Sequence, residues 1–265
     1  MSKLSKEQQL FAVINSYDSM IIAYSGGVDS TLLAAAANRY LAKDKFMLIN
    51  INSAFTATLE KKFITWAQQS GMPLQIVEMQ PLTDPNVRSN TPDRCYHCKK
   101  IIMGKMLELA KKLNFSIVAD GTNLDDFDDY RPGLKATAEL GIKQPFVEAG
   151  FTKQDIRNLA HQYNLPNWNE PAAACLASRI PHHIPLDAQT LKIIDNAEVF
   201  MNQLGFIGCR VRIMNGNAKL ELRGEAQLLK AIEKRNTIIT TLQSYGLNEI
   251  LLDLVGYRQG AMNRN

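Results

Sequence analysis

Ala23-Tyr-Ser-Gly-Gly-Val-Asp-Ser-Thr31 passes from an apolar run into an alanine-rich one across two glycines, and its reading decides the fold. Residues 20–24 are continuously apolar, as in a strand buried on both faces of a parallel sheet. Residues 32–41 have the composition of a helix, opened by Asp29, Ser30 and Thr31. Adjacent glycines admit backbone conformations closed to other residues and let a ligand approach main-chain N–H groups. A helix N-terminus facing that turn offers free N–H donors and a positive dipole end, to which Ser25, Ser30 and Thr31 add hydroxyls. The stretch reads as a phosphate cradle, with an ordinary strand-to-helix turn as the plain alternative.

Outward from the loop, a helix is expected over 5–16, strands at 45–51, 74–79 and 116–119, and helices at 57–69 and 97–113. Strands alternating with helices give parallel βαβ units, whose ligands bind beyond the carboxyl ends of the strands. The glycine loop falls at one such end and Asp120-Gly-Thr-Asn123 at another. The second runs on into Asp125, Asp126, Asp128, Asp129 and Arg131. Composition alone makes it a solvated acidic turn, whereas its place across the sheet end favours a nucleotide or metal contact, with Gly121 and Arg131 as candidates. A helix at 152–163 carries a capping box from Thr152 and Asp155, and 166–185, rich in proline and alanine, leads out of this region.

Beyond it the pattern changes. A helix at 187–204, strands at 208–214 and 218–223 around Asn215-Gly216, helical sequence at 225–245 and a strand at 249–254 make a small α+β unit. The expected domains are 1–170, a linker 171–185 carrying Cys175, and 186–265. Arg210 and Arg212 alternate with Val211 and Ile213, so both guanidinium groups leave one face of a strand, either solvated or clamping a phosphate.

With 265 residues and 46% hydrophobic content the chain can build a sizeable core. Its net charge of +4, from 30 basic and 26 acidic residues, neither demands nor excludes nucleic acid. No apolar run approaches the roughly 18 residues of a membrane helix. Residues 2–9 are polar and lack a signal-peptide layout, so a cytoplasmic protein without a membrane partner is expected.

Four cysteines in such a chain point to metal or redox chemistry more than to disulfides. Cys95-Tyr-His-Cys98 stands at the start of an expected helix, and Cys175 lies far downstream in Pro171-Ala-Ala-Ala-Cys-Leu-Ala-Ser-Arg179. Three readings are open: structural zinc with His97, His161, His182 or His183 as fourth ligand, a pair of redox thiols, or an iron-sulfur cluster on three thiolates with one iron open. Cys209, inside an apolar strand, reads as a buried structural thiol.

Ser25-Gly-Gly-Val-Asp-Ser30 is neither a Walker loop nor a Gly-x-Gly-x-x-Gly turn. It resembles the pyrophosphatase loop of PP-loop enzymes, which split ATP between its α and β phosphates and adenylate a substrate. The resemblance implies an α/β, parallel-sheet PP-loop ATP pyrophosphatase domain (adenine nucleotide alpha hydrolase-like) with a smaller C-terminal α+β domain. It also implies ATP and Mg2+, with Ser25, Gly26, Gly27, Val28, Asp29 and Ser30 around the departing pyrophosphate and Asp29 near its magnesium.

Together with that loop, Thr91-Pro-Asp93, Asp129-Tyr-Arg-Pro-Gly-Leu-Lys135, Cys175-Leu-Ala-Ser-Arg179 and Leu254-Val-Gly-Tyr-Arg-Gln-Gly-Ala-Met-Asn263 resemble the LarE family over nearly the whole chain. These are ATP-dependent sulfur transferases of nickel-pincer nucleotide cofactor biosynthesis. The resemblance implies adenylation of a carboxylate of pyridinium-3,5-biscarboxylic acid mononucleotide, a small-molecule nucleotide substrate, and its conversion to a thiocarboxylate. One version of the family gives up its own cysteine sulfur, and the other passes on sulfide carried by a [4Fe-4S] cluster on three cysteines. The Cys-x-x-Cys pair implies the second version, with Cys95, Cys98 and Cys175 as ligands and a sulfide donor that the sequence does not name. The same resemblance implies that Arg179, Glu198, Arg210, Arg212, Glu221 and Arg258 line the substrate-phosphate region at a subunit junction of a homo-oligomer. Pro181-His182-His183 departs from the Pro-Tyr-Gly expected there. A tRNA-thiolating PP-loop enzyme is the nearest alternative, but the mild charge supplies no RNA-binding surface, so nucleic acid is not expected. A non-catalytic nucleotide- or zinc-binding module is the alternative from another class.

Overall fold

The apolar run forms β1 (Met20–Ala23), an interior strand of a four-stranded parallel sheet of order β3-β2-β1-β4, in a computed structural model that describes residues 4–128, 131–171 and 175–258. Ahead of it stands α1 (Lys6–Asn15), started by a capping box between Ser5 and Gln8. After it come α2 (Val28–Tyr40), β2 (Phe46–Asn52), α3 (Lys61–Gln69), β3 (Leu74–Glu78), α4 (Pro85–Arg88), α5 (Arg94–Lys112) and β4 (Ile117–Ala119). Next are α6 (Pro132–Glu139), α7 (Pro145–Glu148) and α8 (Lys153–Gln162). The remaining elements are α9 (Ala188–Gln203), β5 (Arg210–Met214), β6 (Asn217–Glu221), α10 (Gly224–Glu233), α11 (Arg235–Ser244) and β7 (Ile250–Leu252).

Two compact units result. The first takes in the described residues of Met1–Ser53, Glu60–Pro81 and Asp93–Ala173, and the second those of Ala54–Leu59, Leu82–Pro92 and Ala174–Asn265.

In the first unit the pleat of β1 sends alternate side chains to opposite faces, and both faces are covered. Met20, Ile22 and Leu48 pack with Leu32 and Leu33 of α2 and with Ile156 and Leu159 of α8. Ile21, Ile49 and Val118 pack with Met103, Met106 and Ala110 of α5 on the other side. Each of these large side chains contributes about 1.5–3 kcal/mol by leaving water, which is why the strand is apolar throughout rather than alternating. The expected α/β class is the observed one. In the second unit β5 and β6 are antiparallel and β7 joins β6 in parallel. Ala197 and Met201 of α9, Phe206, Val211, Leu220, and Ile238 and Leu242 of α11 form its core.

Several boundaries differ from the sequence expectation. The second helix begins at Val28 rather than at 32, so the loop residues are its first turn. The fifth begins at Arg94, which puts both cysteines of the Cys-x-x-Cys inside it. The helix expected at 57–69 opens with a 3-10 turn at Thr58–Glu60, and 225–245 divides into two helices at Lys234. Neither α6 nor α7 was expected, because both start with proline in stretches whose composition reads as loop. Asp129, Tyr130, the three alanines 172–174 and the motif residues 259–263 lie outside the described residues.

Candidate active site

The strand order reverses between β1 and β4, and the crevice beyond such a reversal is where open α/β sheets bind ligands. The glycine loop follows β1. Gly26, at φ +88°, adopts a left-handed conformation, and a Cβ there would lie 3.3 Å from both Glu60 O and Phe63 Cβ. Gly27 is the N-cap of α2, which leaves first-turn N–H groups without carbonyl partners inside the helix. Ser30 Oγ donates to Gly27 O at 3.1 Å and lies 3.2 Å from Ser25 Oγ, so both hydroxyls flank the turn. Asn167 Nδ2 donates to Gly26 O and to Thr31 Oγ1, each at 2.9 Å, from a fully buried position. No local sequence pattern marks this clamp, which lies in a stretch that reads as a connector.

From β4 the chain enters Asp120-Gly-Thr-Asn123. A Cβ on Gly121 would stand 3.0 Å from Asp29 Cβ and from Ser30 N, so any side chain there would push the first turn of α2 away by a few tenths of an ångström. The structure therefore brings Gly121 against the loop residues Asp29 and Ser30. Asp29 is paired with Lys153 Nζ, 2.6 Å from Oδ1, a partner that the sequence did not single out although it follows the Thr152 cap directly. Arg131 Nη1 lies 2.5 Å from Asp126 Oδ1, and Asn123 donates to the other oxygen of that carboxylate from N and from Nδ2, each at 3.0 Å. Burial, with a smaller contribution from Asp29, pushes the Asp126 carboxyl up. Asp120 is buried, with Lys99 Nζ 2.9 Å from Oδ2 and Thr122 N donating to Oδ1 at 3.0 Å. Burial alone would push its carboxyl up, but the Lys99 charge and these hydrogen bonds outweigh it and hold the carboxyl below its ordinary range.

Cys95 and Cys98 lie in the first two turns of α5, three residues apart and so neighbours on one side of the helix, both half-buried. Buried Arg94 donates from Nη2 to Cys95 Sγ at 3.4 Å. Gly133 of the Arg-Pro-Gly motif packs on this turn, where a Cβ would lie 3.2 Å from Lys99 Cγ and 3.7 Å from Cys95 O.

In the second unit exposed Cys175 precedes a 3-10 turn, Leu176–Arg179, that ends on a buried arginine. Arg179 donates from Nε and Nη2 to the two oxygens of Glu198 at 2.7 and 2.8 Å. Glu198 also accepts from Val211 N at 3.1 Å, and Arg210 Nη1 is 3.6 Å away. Arg212 donates to Glu221 Oε1 at 2.6 Å and to Ser178 O at 2.7 Å. Arg210 and Arg212 are thus buried rather than solvated, and five of the six expected phosphate-region residues form one network. Arg258 is exposed and outside it. Burial and the neighbouring Arg179 charge push the Arg210 pKa down, the mark of cations crowded together.

Of the alternative zinc ligands, His97 lies 3.2 Å from Asp93, His161 packs edge-on to Trp168 and His182 Nδ1 lies 3.3 Å from Asn90 O. Among the described residues no three His, Cys, Asp or Glu side chains are gathered closely enough to hold a metal ion. Cysteine thiolates remain the right donor type for an iron-sulfur cluster, and two of them already share a helical turn. No helix among the described residues is long and apolar enough to cross a membrane.

No protein-family model matches the chain. It is 34% identical over 260 residues to pyridinium-3,5-bisthiocarboxylic acid mononucleotide synthase of Lactiplantibacillus plantarum, covering 98% of this chain and 94% of that one. The chain belongs to the LarE family. It is also 33% identical over 265 residues to an uncharacterised protein of Synechocystis sp., covering 99% and 97% of the two chains. A third relative, an uncharacterised protein of Methanocaldococcus jannaschii, is 30% identical over 241 residues and covers 90% of each chain. Within the LarE family the four-stranded parallel sheet with its glycine loop is the PP-loop ATP pyrophosphatase domain.

Proposed function

We propose that this LarE-family chain is an AMP-forming sulfur transferase that converts a carboxylate of pyridinium-3,5-biscarboxylic acid mononucleotide into a thiocarboxylate, for nickel-pincer nucleotide cofactor biosynthesis. The observation that carries the reading is the glycine loop that caps α2 at the sheet's reversal point, in a chain similar to the synthase over 98% of its length. A carboxylate is a poor acceptor until one oxygen becomes a good leaving group, and transfer of AMP from ATP supplies that. The N–H groups and hydroxyls of Ser25, Gly26, Gly27, Val28 and Ser30 take the departing pyrophosphate at the positive end of α2. Asp29 takes its Mg2+, and Gly121 and Arg131 contact the nucleotide. Arg179, Arg210, Arg212 and Arg258 receive the substrate phosphate, with Glu198 and Glu221 holding the buried guanidinium forks in place.

Cys95, Cys98 and Cys175 suit a [4Fe-4S] cluster, which when bound would supply sulfide from its open iron to displace AMP. On this reading residues 1–170 form the ATP domain, 171–185 the linker and 186–265 the substrate and subunit-contact domain of a cytoplasmic homo-oligomer.

The test is anaerobic purification followed by reaction. Brown protein containing iron and acid-labile sulfide, releasing AMP and pyrophosphate with ATP, Mg2+ and the biscarboxylate nucleotide, and a product heavier by the exchange of oxygen for sulfur are expected. ADP instead of AMP, or a product of unchanged mass, would overturn the reading.

A further inference from the structure

Lys99 follows Cys98 directly and leaves the first turns of α5 toward the sheet, not toward solvent alone. Its stem runs past Gly133, where a side chain would press on Cγ at 3.2 Å, and its ammonium reaches Asp120 Oδ2 at 2.9 Å. Asp120 is 4% exposed, and its other oxygen is held by Thr122 N at 3.0 Å, so the carboxylate is fixed at both ends. One residue on, Gly121 abuts Asp29 and Ser30 so closely that a Cβ would lie 3.0 Å from both. The loop after β4 is therefore pinned on one side by the phosphate cradle and on the other by the helix that carries the cysteine pair.

We propose that Lys99 is a positioning residue for adenylation: by pairing with buried Asp120 it seats Gly121 against Asp29 and Ser30 and so fixes the shape of the pyrophosphate cradle from the cysteine-bearing turn. This rests on the AMP-forming reading above. A lysine suits the task because its long stem crosses from α5 to the end of β4 and its compact charge neutralises a carboxylate that has left water. The Arg-Pro-Gly motif gains a role from the same contact, since Gly133 leaves space for that stem.

Exchange of labelled pyrophosphate into ATP in the presence of the biscarboxylate nucleotide reads adenylation alone and needs no sulfur. Lys99→Met should lower the saturated exchange rate by about tenfold or more, as a slight misplacement of reacting groups does. The KM for the biscarboxylate nucleotide should stay within about twofold, because that site is not touched. Lys99→Arg should restore most of the rate, and Lys99→Met combined with Asp120→Asn should be no slower than the worse single variant, as for two residues acting as one unit. The double variant also leaves no buried charge, so it carries the expectation if Lys99→Met does not fold. Exchange equal to the parent in Lys99→Met, or Lys99→Arg as slow as Lys99→Met, would overturn the proposal. A parent enzyme that shows no exchange would remove the AMP-forming reading and this inference with it.

Discussion

Lys153 Nζ lies 2.6 Å from Asp29 Oδ1, so the acidic residue in the first turn of α2 is held by the first residue of α8. Both side chains are between a quarter and a third exposed, so the pair adds at most about 1 kcal/mol to stability. Its place beside the loop N–H groups gives Asp29 its importance. Asp29→Asn should slow pyrophosphate exchange by about 100-fold or more through lost magnesium and charge placement. Its urea midpoint should stay near that of the parent. A variant that exchanges normally would remove Asp29 from the magnesium site.

The Arg179–Glu198 pair has the opposite character. Its side chains are 2% and 3% exposed and share two parallel hydrogen bonds. Arg179→Met leaves Glu198 buried with Arg210, at 3.6 Å, as its nearest cation. Loss of one partner of such a pair costs about 3–5 kcal/mol, and removal of both costs less. Urea unfolding should therefore show Arg179→Met less stable than Arg179→Met combined with Glu198→Gln. The reverse order would mean that Arg210 alone satisfies the carboxylate.

The glycine loop, the cysteine pair and the Thr152–Asp155 cap were legible because each is a local pattern whose chemistry is complete within a few residues. Both reciprocal bonds of that cap are present. Lys153 and Asn167 were not legible, although both touch the loop, because their partners lie far away in the chain and a lone Lys or Asn carries no periodic signal. The alternation of Arg210 and Arg212 with apolar residues did show that both point to one side of β5. It could not show that the side is buried, since that depends on Glu198 from α9 and Glu221 from β6 arriving to balance the charge. The helix after Arg131 was hidden for a different reason. Proline and glycine at its start read as a turn, whereas proline is well placed in a first helical turn and the glycine lies close against α5.

Acid stability should report on Asp120. Burial raises its carboxyl pKa, but Lys99 and the Thr122 bonds lower it further than burial raises it, so the folded value lies below the ordinary one. A depressed carboxyl contributes stability that is present above the unfolded value of about 3.9 and is lost as pH falls through the folded value. The urea midpoint of the parent should thus fall more steeply on the acid side than that of Asp120→Asn, with the two curves parallel at neutral pH. Parallel curves throughout the acid range would show that the Lys99 pair does not favour the ionised form.

The four cysteines should separate by reactivity and by iron. Cys175 is exposed, Cys95 and Cys98 are half-buried, and Cys209 is buried. Burial, aided by the nearby Glu198 charge, pushes the Cys209 thiol up, so almost none of it is thiolate at neutral pH. The thiolate is the nucleophile and the metal ligand, which leaves Cys209 inert in both roles. Iodoacetamide on iron-free native protein should therefore modify Cys175 first, Cys95 and Cys98 more slowly, and Cys209 only after unfolding. Loading with iron and sulfide should protect the first three, and serine at position 95, 98 or 175 should lower bound iron while Cys209→Ser keeps it. Loss of iron in Cys209→Ser, or full iron in Cys175→Ser, would break the three-cysteine ligand set.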